Sequence, residues 1–177
     1  MTIRDDTRET VRTRAQFACE YCGVRETDSG DLLTIDHFQP VGKGGDDSLE
    51  NLVYCCMRCN QYKGDYWPGS PSAPMLWNPR QETAVAHVVE LDDGKLEALT
   101  PTGAFSISLL HLNRPALVAY RQRRHQALED AHWLERYRQL AAVLDQLVEQ
   151  QAQVIAEQKA LLAEQRQLLQ RLLQRLD

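Results

Sequence analysis

The sequence predicts an α+β protein: a small metal-clamped domain of two short strands and a helix, an added β-hairpin, and a long C-terminal helix. Three observations predict it. Two Cys-x-x-Cys knuckles, Cys19-Glu-Tyr-Cys22 and Cys56-Met-Arg-Cys59, bracket short runs of β-branched and aliphatic residues. Ala86-His-Val-Val-Glu-Leu91 and Lys95-Leu-Glu-Ala-Leu99 flank Asp92-Asp-Gly94, a hairpin signal. Beyond Pro115 there is no further Gly or Pro, so one helix can run to Asp177.

The first 66 residues hold the metal-clamped domain. Asp5 to Ala18 has apolar residues near helical spacing, with arginines between them. Gly23 suits the tight turn of the first knuckle, and residues 24–30 are polar and loop-like. Leu32-Leu-Thr-Ile35 is a strand that delivers Asp36 and His37 at its end, and Pro40 with Gly42-Lys-Gly-Gly45 closes it as a loop. Leu52-Val-Tyr54 is the second strand, and Cys56 to Lys63 the turn and start of a helix.

Residues 67–113 form a wrapping segment, rich at first in Pro, Gly and Ser, with Trp67 and Trp77 as packing anchors. It contains the hairpin and a short helix over 102–112. Residues 114–177 are the long helix, with Asn113 as its N-cap and Pro115 in its first turn. At 1.5 Å per residue such a helix reaches roughly 90 Å. Its distal half repeats apolar doublets every seven residues, Leu147-Val148, Val154-Ile155, Leu161-Leu162 and Leu168-Leu169, with Leu140, Leu144 and Leu172 on the same face. Gln151, Gln158 and Gln165 interrupt that face, as register-setting amides do in a coiled coil. A homo-oligomer or a helical partner engaging residues 140–176 is expected; a fold-back or a solvated single helix stays open.

Composition narrows the function. The 177 residues carry five cysteines, four of them in knuckle spacing, which favours metal over a disulfide framework and implies a reducing compartment. Four thiolates are the ligand set of tetrahedral structural Zn²⁺. Cys55 stands out of register and is expected as a small buried residue. The chain opens without an apolar leader and has no stretch fit to span a membrane, so a cytoplasmic, membrane-free protein is expected. The net charge of −5 argues against a chain that grips nucleic acid with its whole surface. Phosphate contacts must then come from local groups, the candidates being Lys63 and the cluster Arg121, Arg123 and Arg124. A solvated helix face competes with that reading. Beside the knuckles stand a carboxylate, an imidazole and two amides, Asp36, His37, Asn51 and Asn60, groups able to hold a catalytic cation and activate water.

The order Cys-x-x-Cys, Asp36-His37-x-x-Pro40, Gly44-Gly45, Asn51-Leu52, Cys56-x-x-Cys59-Asn60, Lys63-Gly64 resembles the HNH endonucleases of the ββα-metal fold, in the branch with a four-cysteine zinc. The resemblance spans about residues 10 to 66. The motifs Trp77-Asn-Pro-Arg80, Leu99-Thr-Pro-Thr-Gly103 and Leu112-Asn-Arg-Pro115 resemble an extension found in some small bacterial HNH proteins. The HNH resemblance implies His37 as general base, Asp36 and Asn60 as ligands of Mg²⁺ or Mn²⁺, and Asn51 as the amide that pins the loop presenting the base. Cys19, Cys22, Cys56 and Cys59 would hold the structural zinc. It further implies hydrolysis of DNA phosphodiester bonds, with a mobile-element or anti-phage context as a family-based expectation. A non-catalytic zinc scaffold assembling through its coiled coil, or a nuclease for RNA or single strands, are the alternatives.

Overall fold

The computed structural model describes residues 3–174, with side chains described except at 172 and 173. The expected seam residue Leu172 and the end of the 140–176 span therefore lie outside the described side chains. The chain divides into two compact units, residues 1–125 and 126–177.

The first unit opens with α1 (Asp5–Arg14), whose Asp5 and Asp6 start and Arg12 and Arg14 end complement the helix dipole. It stops four residues short of the expected Ala18. Gln16 and Phe17 take left-handed conformations, φ 53° and 60°, and turn the chain into the first knuckle. There Gly23, at φ 75°, returns its N–H to the Cys19 carbonyl at 2.8 Å. The expected loop at 24–30 contains a single helical turn, α2 (Glu26–Ser29), capped by Gly30 in the left-handed region.

Strand β1 (Thr34–His37) lies two residues further along than expected, so Asp36 and His37 are inside the strand and not beyond its end. Its register is fixed by antiparallel pairing with β2 (Leu52–Cys55), Thr34 opposite Cys55 and His37 opposite Leu52. All four β2 residues are buried. Helix α3 (Met57–Lys63) follows at once, its N-terminus capped by the Cys56 thiol accepting the Cys59 N–H at 3.4 Å. Two strands and a helix thus stand around the second knuckle.

Trp77 and Leu76 are buried in the wrapping segment, and Trp67 meets Phe38 edge-on at 5.9 Å. Strands β3 (Val88–Glu90) and β4 (Leu96–Ala98) form the second two-stranded sheet, shorter than the hairpin expected from 86 to 99. Helix α4 (Pro101–Leu109) is capped by the Thr100 hydroxyl, which accepts the Gly103 N–H at 3.0 Å. Asn113 is not the N-cap of the last helix. Its amide grips the main chain of Leu96 instead, accepting N–H at 2.7 Å and donating to C=O at 2.8 Å, because an edge strand has both groups to satisfy.

Helix α5 (Pro115–Leu173) belongs to both units. In the first unit Leu117 and Arg121 are buried, and Arg121 donates to the carbonyls of Gly94 at 3.0 Å and Leu112 at 2.9 Å. In the second unit the described helical residues are exposed throughout, large apolar ones included. No described helix is long and apolar enough to cross a membrane.

Candidate active site and metal centre

Cys19, Cys22, Cys56 and Cys59 converge with their sulfurs all within 4.8 Å of one another, and all four are buried. The Sγ atoms of Cys22 and Cys56 are 3.7 Å apart. Four sulfurs about 2.3 Å from one tetrahedral ion would sit roughly 3.8 Å from each other, so the donor set and its spacing fit zinc. The neighbouring thiols, Cys19 first and then Cys22 and Cys59, hold the Cys56 thiol far below the ordinary range. Arg114 Nη2 lies 4.0 Å from Cys56 Sγ, with the guanidinium 5.7 Å from the Tyr62 ring centre. A cation beside a cluster of thiolates offsets their charge; nothing in the sequence around Arg114 announced it. Cys55 is fully buried outside the tetrad, beside Thr34, and burial pushes its thiol up.

Successive residues of a strand face opposite ways. Thr34 and Asp36 therefore share one face of β1, and α3 covers it: Asn60 Nδ2 donates to Thr34 Oγ1 at 3.3 Å, and Lys63 Nζ is 2.8 Å from Asp36 Oδ2. That ammonium also donates to the His37 carbonyl at 2.7 Å. Asp36 Oδ2 is buried with the Lys63 ammonium beside it, and of the two lone pairs on that oxygen one stays free. Burial pushes the Asp36 carboxyl above the usual carboxylate range, and Lys63 opposes the shift.

His37 faces the other way. Its Nε2 is 2.7 Å from Asp47 Oδ1, and an ionised carboxylate can only accept, which puts the ring proton on Nε2 and leaves Nδ1 a lone pair. Asp47 was not read from the sequence; its one signal is an acid in the loop that returns toward Asn51. Asn51 holds that loop at three points: Oδ1 accepts the Gln39 N–H at 2.8 Å, and Nδ2 donates to the carbonyls of Gln39 at 3.0 Å and Asp46 at 2.8 Å. Gly45 fits only as glycine, since a Cβ there would lie 1.8 Å from the Gln39 oxygen.

The structure brings the four cysteines together, sets Asp36 and Asn60 on one face of β1, and holds His37 apart on Asp47. Two of the expected phosphate contacts are corrected by burial. Lys63 is 2% exposed with its charge directed to Asp36, and Arg121 is 2% exposed with its guanidinium spent on carbonyls. Arg124 pairs with Glu90 at 2.6 Å, and Arg123 is exposed. A cleft of about 450 Å³ beside the loop is lined by Asp46, Glu50 and Glu82, which makes it a poor path for a polyanion.

Fold and site define a thiolate-clamped ββα unit with an acid and an imidazole side by side on its first strand. Residues 19–66 match the family model described as HNH endonuclease, and it is this segment of the chain that is similar to that family. Over 53 residues the chain is 43% identical to the CRISPR-associated endonuclease Cas9 of Corynebacterium diphtheriae, a stretch covering 29% of this chain. The chain spans 5% of that relative's length.

Proposed function

We propose that the chain is a metal-dependent endonuclease that hydrolyses DNA phosphodiester bonds. Residues 1–66 would carry the chemistry, 67–113 wrap it, and 114–177 serve as an arm for self-association or a helical partner. The observation that carries this reading is the His37–Asp47 pair inside the segment that matches the HNH model.

In this mechanism Asp47 fixes the imidazole, and Nδ1 of His37 takes a proton from water. The hydroxide so formed attacks phosphorus in line, the P–O3′ bond breaks, and the departing 3′ oxygen takes a proton from solvent, which leaves a 5′-phosphate and a 3′-hydroxyl. Asp36, with its free buried lone pair, and Asn60 would hold Mg²⁺ or Mn²⁺, which supplies Lewis-acid stabilisation of the departing 3′ oxygen. Asn51 keeps the loop, and through it Asp47, in place. Of the expected phosphate contacts Arg123 is exposed and Arg124, also exposed, is paired with Glu90, so binding should be weak and sharply salt-dependent. Four cysteines would hold structural Zn²⁺ and keep the two knuckles at their separation.

Supercoiled plasmid incubated with Mg²⁺ or Mn²⁺ tests this reading, wild type beside His37→Ala. Removing a general base costs about 10²- to 10⁴-fold in rate. Equal background conversion by both proteins would replace the nuclease with a zinc scaffold, and cleavage confined to RNA or single strands would redirect the substrate.

A further inference from the structure

The apolar face of the second unit is longer than the sequence reading made it. Trp133-Leu134 and Leu140-Ala141 stand in the same seven-residue phase as the doublets that run to Leu168-Leu169, and the large apolar side chains of this stripe are 49% to 66% exposed. Down its middle, four residues after the first of each doublet, lie Tyr137, Leu144, Gln151, Gln158 and Gln165. At 100° per residue, the positions just before and just after this central line fall on its two flanks. Along the glutamine stretch Glu157 and Glu164 make one flank acidic and Lys159 and Arg166 make the other basic; outside it Asp145 lies on the basic flank and Arg171 on the acidic one.

We propose that this stripe pairs with the stripe of a second copy of the chain, parallel and in register. Two requirements select that arrangement. Each central amide needs an amide opposite it, since an amide set against Leu144 has no partner. Only two arrangements match all three glutamines: parallel in register, or antiparallel about Gln158. The flanks then decide. Parallel pairing places the acidic flank of one helix on the basic flank of the other, Glu157 against Lys159 and Glu164 against Arg166. Antiparallel pairing about Gln158 sets Glu157 on Glu157 and Lys159 on Lys159. At the proximal end both flanks carry arginine, and each is engaged in its own chain. Arg136 lies 5.1 Å from the Trp133 ring centre, and Arg138 is 3.9 Å from Glu135. The pairing rests on the helix alone and not on the nuclease reading.

Sedimentation equilibrium of the full-length protein tests it, with zinc content as the measure of an intact first unit. The wild type associates, and Glu157→Lys/Glu164→Lys or Lys159→Glu/Arg166→Glu weakens association about tenfold or more, by setting like charges on facing flanks. Mixing these two variants restores assembly, and reversing all four charges in one chain leaves it as in the wild type. A wild type that stays monomeric at tens of micromolar, or single-flank variants that associate as the wild type does, would overturn the proposal. Loss of plasmid cleavage in His37→Ala with association unchanged separates this test from that of the active site.

Discussion

His37 shows how much a single partner decides. Bound through Nε2 to Asp47, the ring has one orientation and one free nitrogen. In Asp47→Ala the ring loses both its orientation and the carboxylate that steadies its charged form, and we expect cleavage to fall about 10- to 100-fold while Zn²⁺ content stays intact. Cleavage by Asp47→Ala at the wild-type rate would mean that Asp47 does not act through His37. Glu26 gives a cleaner titration. Its carboxyl is held below its ordinary value of 4.5, first by Arg12 and further by the Tyr54 hydroxyl. A depressed carboxylate contributes stability above its unfolded value and loses it as pH falls through the lower folded one. In Arg12→Met, carboxyl NMR should find Glu26 titrating nearer its ordinary value, and acid unfolding should begin at higher pH. Neither acid partner was legible beforehand. The cysteine tetrad was, because its spacing is local in sequence, and Asp36, His37 and Asn60 were named as candidates from equally local motifs, whereas Asp47 becomes a partner only when the loop folds back.

At the scale of elements, the β1–β2–α3 unit was readable as strand, strand and helix, yet β1 sits two residues later than its apolar run suggested. Pairing with the fully buried β2 outweighed the local pattern, drawing Asp36 into the sheet. That shift gives Lys63 its role, since a buried carboxylate needs a cation and α3 delivers one a turn past Asn60. Lys63→Met should destabilise the protein by about 3 kcal/mol, read from urea unfolding, by leaving Asp36 buried and unpaired. Adding Asp36→Asn should recover most of that loss. A similar argument holds for Asn113, whose amide the sequence assigned to a helix end. Asn113→Ala leaves both main-chain groups of Leu96 unmatched and should cost about 1–3 kcal/mol.

For the whole molecule, zinc held by the buried cysteine cluster would make the first unit dependent on that ion. Structural zinc contributes on the order of 10 kcal/mol to small domains. A strong chelator should therefore abolish tertiary signals from Trp77 and Trp67; their persistence in metal-free protein would show that the tetrad is dispensable. One base cuts one strand, so linear product should appear only at concentrations where the chain associates, with nicked circles below them. A preparation shown to be oligomeric that only nicks would remove that link.

The carbonyls gripped by Arg121 have a practical corollary. By eye, a fragment free of the arm would be trimmed at the loop near residue 114. Such a cut discards Leu117, the guanidinium that ties Gly94 to Leu112, and the tyrosine whose hydroxyl reaches Gly23 beside the first knuckle. The shortest piece worth expressing for crystallisation ends no earlier than residue 125.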